Sequence, residues 1–574
     1  MQMKRVKGYP QPLGIYQLGE TSYNFAVSVP KGKTCELLLY HVGDEVVAHQ
    51  FEMSQEDGIG EVRFLALEGF DAKSYEYNYK IDGKVCLDPY VREITGHSTF
   101  GTKWNFEEHK VRGKFQVRDY DWEGDKRPEL SFSEVIAYAL HVRGFTKHAS
   151  SKVKNKGTFR GIIEKIPYLK ELGINQIQCM PIYEFEECIE HYQNYWGYGK
   201  GFYFAPKATY AASKDVQIEF KDMVKACHKS GIEVILEMPF HQGILPQVVL
   251  ECLKYYFLEY HVDGFLLNPY HSPWDSILQD PLLKAAKLFK RDEWYQNTMR
   301  RFLKGDEGMI PEIMKQMCRQ SALEGCCNYI TTFTGFTLQD LVSYDGKHNE
   351  ANGEQNQDGP DYNYSWNCGA EGPSRKKSVV TLRKNQVRNA FLLLLTSQST
   401  PCILAGDEFG NSQNGNNNCY CQDNEISWLN WNNKRKYSDL FSFVKELISF
   451  RKQQAVFHQE EHLLGMDRKG RGIPDISFHG ENAWQIPNSV ASRQLGVLYA
   501  DVQGGSQNWF VAYNMHWEKH TFALPALKKG YQWYLVGGTK GILENPIPLE
   551  EQKNIEIEER TIAILQGRQE ESGE

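Results

Sequence analysis

The chain has 574 residues, of which 24% are charged and 41% hydrophobic; this is the composition of a globular protein, and its length suggests about three or four domains. A net charge of −8 with both signs interspersed argues against nucleic acid or an acidic membrane surface as partner and suits a neutral ligand. No run approaches the roughly 18 apolar residues that span a membrane, and 13 scattered cysteines without metal-type spacing predict reduced thiols in a cytoplasm, with no metal and no cofactor.

From about Gly14 to Thr95 short alternating segments predict strands at Tyr23–Val29, Cys35–Tyr40, Glu61–Leu67 and Tyr75–Ile81, a β-sandwich pattern over 1–115. Strand and helix patterns then alternate over 116–470. Strands are expected at Val135–Val142, Ile174–Met180, Ile232–Phe240, Gly264–Leu267, Tyr329–Thr332 and Cys402–Ala405. Helices are expected at Ile163–Leu172, Ile218–Lys229, Val248–Glu259 and Asn385–Ser397. This alternation predicts an α/β fold, a (β/α)8 barrel with its active face at the C-terminal ends of the strands. Short strands return after Pro474, including Trp509–Tyr513 and Thr561–Leu565, which predicts a second β-sandwich over 471–574.

The run from Thr400 to Trp428, with Gly406-Asp407-Glu408-Phe409-Gly410 and Asn416-Asn417-Asn418 inside it, resembles the isoamylase and bacterial glycogen-debranching branch of the α-amylase superfamily, glycoside hydrolase family 13. Asn194-Tyr195-Trp196-Gly197-Tyr198 and the segment Asp361–Gly369 are similar to the same branch. The resemblance covers residues 10 to 567. It implies that 1–115 is a starch- or glycogen-binding-type module of family 48, and that the barrel once cleaved α-1,6 branches.

Retaining glycosidases need two carboxyls about 5–5.5 Å apart. Where the family reads Asp-Gly-Phe-Arg-Phe-Asp, this chain reads Asp263-Gly264-Phe265-Leu266-Leu267-Asn268, so the nucleophile position is Asn268 and the Arg position Leu266. An amide offers no anionic attacking oxygen. The acid/base strand is followed at once by Asp292-Glu293-Trp294, read as a helix start with the catalytic turn deleted. The His and Asp of the third acidic motif are Phe333 and Thr334. Glu237 and Glu293 are the rescue candidates, with Asp407 or Glu408 behind them. On the substrate side the resemblance implies Tyr198, Trp196, His241, Trp366, Asn417, Tyr420 and Asp423.

The expectation is a debranching-family protein that has lost its glycosidase chemistry. It would bind α-glucan (glycogen or limit dextrin) or partner an active debranching or glycogen-synthesising enzyme. Two other readings stay open: a hydrolase of α-1,6 branches with relocated carboxylates, and a scaffold without sugar affinity.

Overall fold

The computed structural model describes residues 3–56, 58–104, 111–115, 119–189, 192–468, 470–500 and 507–570. The expected domain limits at 116 and 574 fall outside these residues.

The four strands expected in the first hundred residues form at Ser22–Ser28, Cys35–His41, Val62–Glu68 and Tyr75–Ile81. They belong to two antiparallel sheets, one of four strands and one of six. Period-two alternation puts Phe25, Leu37, Leu39, Leu65 and Tyr77 into one shared core, with Phe70 and Phe115 packed edge-on at 5.0 Å.

The central sheet is parallel. Its strands are β1 (Ala137–Leu140), β2 (Gln176–Cys179), β3 (Glu233–Met238), β4 (Gly264–Leu267), β5 (Lys287–Lys290) and β6 (Cys402–Leu404), in the order β5-β4-β3-β2-β1-β6. Single parallel bridges carry both edges onto one further segment: Lys290 pairs with Cys326, and Asn328 with Pro401. The interior is closed by Val135, Ala137, Ile235, Leu266, Phe289, Cys327, Tyr329 and Cys402, which pack as one cluster. Among the described residues no eighth strand joins this ring, and Tyr329–Thr332, expected as a strand, is not one. The expected (β/α)8 closure is therefore replaced by six strands and a bridging segment. The cause is local: β5 ends at Lys290 and the next helix starts at Glu293, so Arg291 and Asp292 alone connect them. The described residues from there to Cys326 form helices at Glu293–Lys304 and Ile310–Cys318 and supply no intervening strand.

Helices cover the outside of the ring: α1 (Phe159–Leu172), α2 (Val216–Lys229), α3 (Pro246–Glu259), α4 (Glu293–Lys304), α5 (Lys377–Leu395) and α6 (Ser438–Gln453). Their ends follow ordinary capping chemistry. The Thr158 hydroxyl accepts the Gly161 N–H, and Gly173 closes α1 in the left-handed conformation at φ 97°. Asp292 caps α4 through the Trp294 N–H, and Gly305 ends it at φ 88°. α3 starts on Pro246, leaving only 242–245 between His241 and the helix.

A six-stranded antiparallel sheet closes the chain, with a two-stranded sheet beside it. Along Trp509–Asn514 the faces divide cleanly. Trp509, Val511 and Tyr513 pack with the helices of the central unit, whereas Phe510 and Ala512 join a separate small core with Trp533. The Tyr513 and Thr396 hydroxyls, 2.8 Å apart, tie this sheet to the end of α5. No helix among the described residues is long and apolar enough to cross a membrane.

Candidate functional site

The inward face of the ring is layered by the two-residue period of its strands. On β3, Glu233, Ile235 and Glu237 point inward while Val234, Leu236 and Met238 lie under the helices. On β5 the inward set is Lys287, Phe289 and then Arg291. Two ion pairs result, with an apolar layer between them: Lys287 holds Glu233 at the bottom, Ile235, Leu266 and Phe289 fill the middle, and Arg291 holds Glu237 at the top. Leu266, at the family's Arg position, is a core residue 6% exposed. The cation at this level comes from the neighbouring strand instead.

Above that layer a cleft of about 980 Å³ opens at the C-terminal ends of β3, β4 and β5. At its floor Glu237 Oε1 accepts the Tyr198 hydroxyl at 2.7 Å and Arg291 Nη2 at 2.8 Å, and Arg291 Nη1 also donates to the Thr332 hydroxyl. Burial opposes the charge on Arg291, but the Glu237 carboxylate outweighs it and raises the guanidinium pKa. Burial, and then Glu237, raises the Tyr198 hydroxyl as well, so it remains a donor. Asp292 and Glu324 are both engaged by Arg319. Glu293 is exposed at the first turn of α4 and makes no ion pair among the described residues.

Several expected positions meet in this cleft: Asn268, Leu266, Thr334, Tyr198, His241, Glu237 and Glu293 all line it. Asn268 has its side-chain oxygen engaged locally. Its Oδ1 accepts the Tyr270 N–H at 3.0 Å, a turn that fixes Pro269 and Tyr270. His241 directs Nδ1 at the Gln242 carbonyl, 2.7 Å away. Trp196 is buried beneath Tyr198, with ring centres 5.6 Å apart. Phe333 is half-buried and packs into the main core.

The remaining expected contacts lie elsewhere, and the polar groups of Asn417, Asp423 and Tyr420 already have protein partners. Asn417 is fully buried; its side chain bonds Asn349, Pro360 and Asn363 at 2.8, 2.8 and 3.1 Å, which makes it a loop tie. Asp423 grips Arg143 through both oxygens at 2.7 and 2.8 Å and accepts the Trp428 indole N–H. Tyr420 gives its hydroxyl to Glu354. Trp366 packs under the Arg560 guanidinium at 4.8 Å, against the C-terminal sheet. The rescue candidates Asp407 and Glu408 are buried outside the cleft: Asp407 accepts the Leu338 N–H, and Glu408 accepts the Tyr138 and Tyr168 hydroxyls. Burial pushes the Asp407 carboxyl up to about 7 and raises Glu408 too. Buried carboxylates tied down in this way are scaffold.

Sequence reasoning missed Arg291, Lys290, Trp294, Arg319 and Tyr270, all cleft residues. Arg291 was within reach: counting two and four residues on from Phe289 and Lys287 places it inward.

Residues 143–244 match the family described as alpha amylase, catalytic domain. Isoamylase 1, chloroplastic, of Arabidopsis thaliana is 30% identical over 92% of this chain and 84% of its own length. A glycogen operon protein GlgX homolog of Haemophilus influenzae is 31% identical over 91% of this chain and 94% of its own. Among solved structures, a pullulanase from Paenibacillus barengoltzii in complex with maltohexaose and alpha-cyclodextrin superposes with a TM-score of 0.74 at 17% identity, covering 98% of this chain and 96% of that one. Similarity at this level over nearly the full length of both chains leaves no room for a different ancestry, and the chain belongs to the isoamylase-type, glycogen-debranching branch of glycoside hydrolase family 13.

Proposed function

We propose that this chain is a debranching-family protein without glycosidase chemistry, which holds an α-glucan such as glycogen or limit dextrin, or partners an active debranching or glycogen-synthesising enzyme in the cytoplasm. The observation that carries the reading is the two-residue connection from β5 to α4, where the family's acid/base turn would need to fit. Asn268 at the nucleophile position and Thr334 at the third acidic position point the same way. Of the carboxylates lining the cleft, Glu237, Asp292 and Glu324 are each paired with a guanidinium, which favours the ionised form and makes each a poor proton donor. Losing one member of a catalytic unit costs on the order of 10⁴–10⁶ in rate. In this reading 1–115 is a glucan-binding-type module, 116–470 the altered catalytic unit and 471–574 the closing sandwich.

The test is reducing-end release from phosphorylase-limit dextrin over hours at high protein concentration, with glycogen retention measured in native gels. No release together with retention is expected. The paired restoration Leu266→Arg with Asn268→Asp is also expected to stay inactive, because it supplies no acid/base. One observation favours a second reading: Glu237 and Glu293 line the same cleft. Release that disappears in Glu293→Gln or Glu237→Gln establishes a rebuilt hydrolase. Neither release nor retention leaves a scaffold.

A further inference from the structure

The cleft carries two aromatic side chains that folding alone does not account for. Trp294, at the start of α4, is 42% exposed, and Tyr270, after β4, is 92% exposed. Exposed indole costs hydrophobic free energy, and a merely tolerated one is usually free to move. The Trp294 ring is instead held by two contacts. Its indole Nε1 donates to Glu312 at 3.2 Å, and the Arg319 guanidinium lies 5.0 Å from the ring centre, while Asp292 caps its main-chain N–H at 2.9 Å. Arg319 is in turn fixed by Asp292 and Glu324. Asn268 accepts the Tyr270 main-chain N–H, so the residue at the old nucleophile position now fixes the turn that carries a residue of the cleft wall.

The geometry points to a sugar-ring clamp built where the acid/base turn was lost: Trp294 is the stacking platform, Tyr270 a second aromatic wall, and Glu293 and Lys290 the hydroxyl partners of a neutral α-1,4-linked glucan chain. An oriented aromatic face matches the apolar face of a pyranose ring, and ordering it beforehand lowers the entropy lost on binding. Glu293 and Lys290 line the cleft and make no ion pair among the described residues, the Lys290 ammonium lying 5.9 Å from the Trp274 ring centre, and both are assigned to sugar hydroxyls. Charge selects against a phosphorylated sugar. The lining cations Lys290, Arg291 and Arg319 are matched by Glu237, Asp292, Glu293 and Glu324, which leaves no net positive field. The clamp rests on the reading that the chain holds α-glucan, and adds where it is held and by which residues.

The experiment titrates maltohexaose into the full chain by calorimetry, alongside glycogen retention in native gels, for the unaltered protein and for Trp294→Ala, Trp294→Phe and Tyr270→Ala. Trp294→Ala is expected to weaken maltohexaose binding about tenfold, a ratio that corresponds to about 1.4 kcal/mol. Trp294→Phe should lose less, and glucose 1-phosphate should not compete. Tyr270→Ala, at a position open to solvent, keeps the test decisive if the Trp294 variants do not fold, and should also weaken binding. If the unaltered chain binds glycogen and maltohexaose and neither aromatic matters, the clamp is wrong while the glucan-holding reading stands. If the unaltered chain binds neither, both fall. Displacement of maltohexaose by glucose 1-phosphate at lower concentration overturns the neutral ligand.

Discussion

Replacing Arg291 by Met removes the cation from the top layer of the ring while keeping a side chain of similar length. Glu237 then keeps only the Tyr198 hydroxyl as a partner, with its side chain 9% exposed. Removing one partner of a fully buried ion pair costs about 3–5 kcal/mol, whereas exposed pairs contribute about 0–1. The Arg291 side chain is 31% exposed, so this pair falls between the limits, at about 2 kcal/mol. In a unit of this size that corresponds to a fall of about 2–5 °C in melting temperature, read by calorimetry on the transition of the central unit. Glu237→Gln alone leaves the guanidinium unneutralised and should also destabilise. The double variant, with neither charge present, should recover about half of the summed losses, a coupling of about 1–2 kcal/mol. Strictly additive losses, or an Arg291→Met protein that melts with the unaltered one, refute the ion pair as the organiser of the cleft floor.

Asn417→Ala should cost about 3 kcal/mol, because three side-chain hydrogen bonds disappear at a site closed to water and their partners are left unsatisfied. The folded fraction should retain glycogen as before, and a selective loss of retention at unchanged melting temperature contradicts the assignment of Asn417 as a loop tie. His228 lies between Asp125 at 2.9 Å and Asp263 at 3.0 Å; burial works against its charge, but the two carboxylates prevail and raise its pKa. A raised folded-state value stabilises fully below the unfolded value of about 6.5 and fades as pH rises through the folded one. The thermal deficit of His228→Gln should therefore be larger at about pH 6 than at about pH 9; equal deficits show that the ring is not charged in the fold.

Local pattern made most of the architecture legible. Alternation gave the four N-terminal strands to within a residue or two, and apolar runs bounded by Gly and Pro marked β1 to β4 and β6. It failed at the seventh member of the ring, where Tyr329–Thr332 has strand-like composition and the pairing residues are Cys326 and Asn328. Bridges that short depend on what the neighbouring strands leave open, which composition does not record. The site was legible in part. Asn268, Thr334, Tyr198, His241, Glu237 and Glu293 do share a cleft, because the C-terminal ends of parallel strands converge. Asn417, Tyr420 and Asp423 looked like sugar contacts because amides, phenols and carboxylates suit hydroxyls, but the same chemistry suits Asn349, Glu354 and Arg143, which reach them first.

Sequence by itself determined which side chains stand at the positions the family resemblance marks: Asn268 carries an amide and Thr334 a hydroxyl, and neither is a carboxylate, whatever surrounds them. It also determined the layering of each strand, since a period of two is a property of extended backbone. Only the tertiary structure decided which groups meet. Arg291 reaches Glu237 across β4, 54 positions along the chain, because strand register sets that distance. Register likewise decided that Leu266 is core and that the guanidinium of this level comes from the next strand. Contacts between side chains of different strands are fixed by pairing and closure, and neither is written in the spacing of residues along the chain.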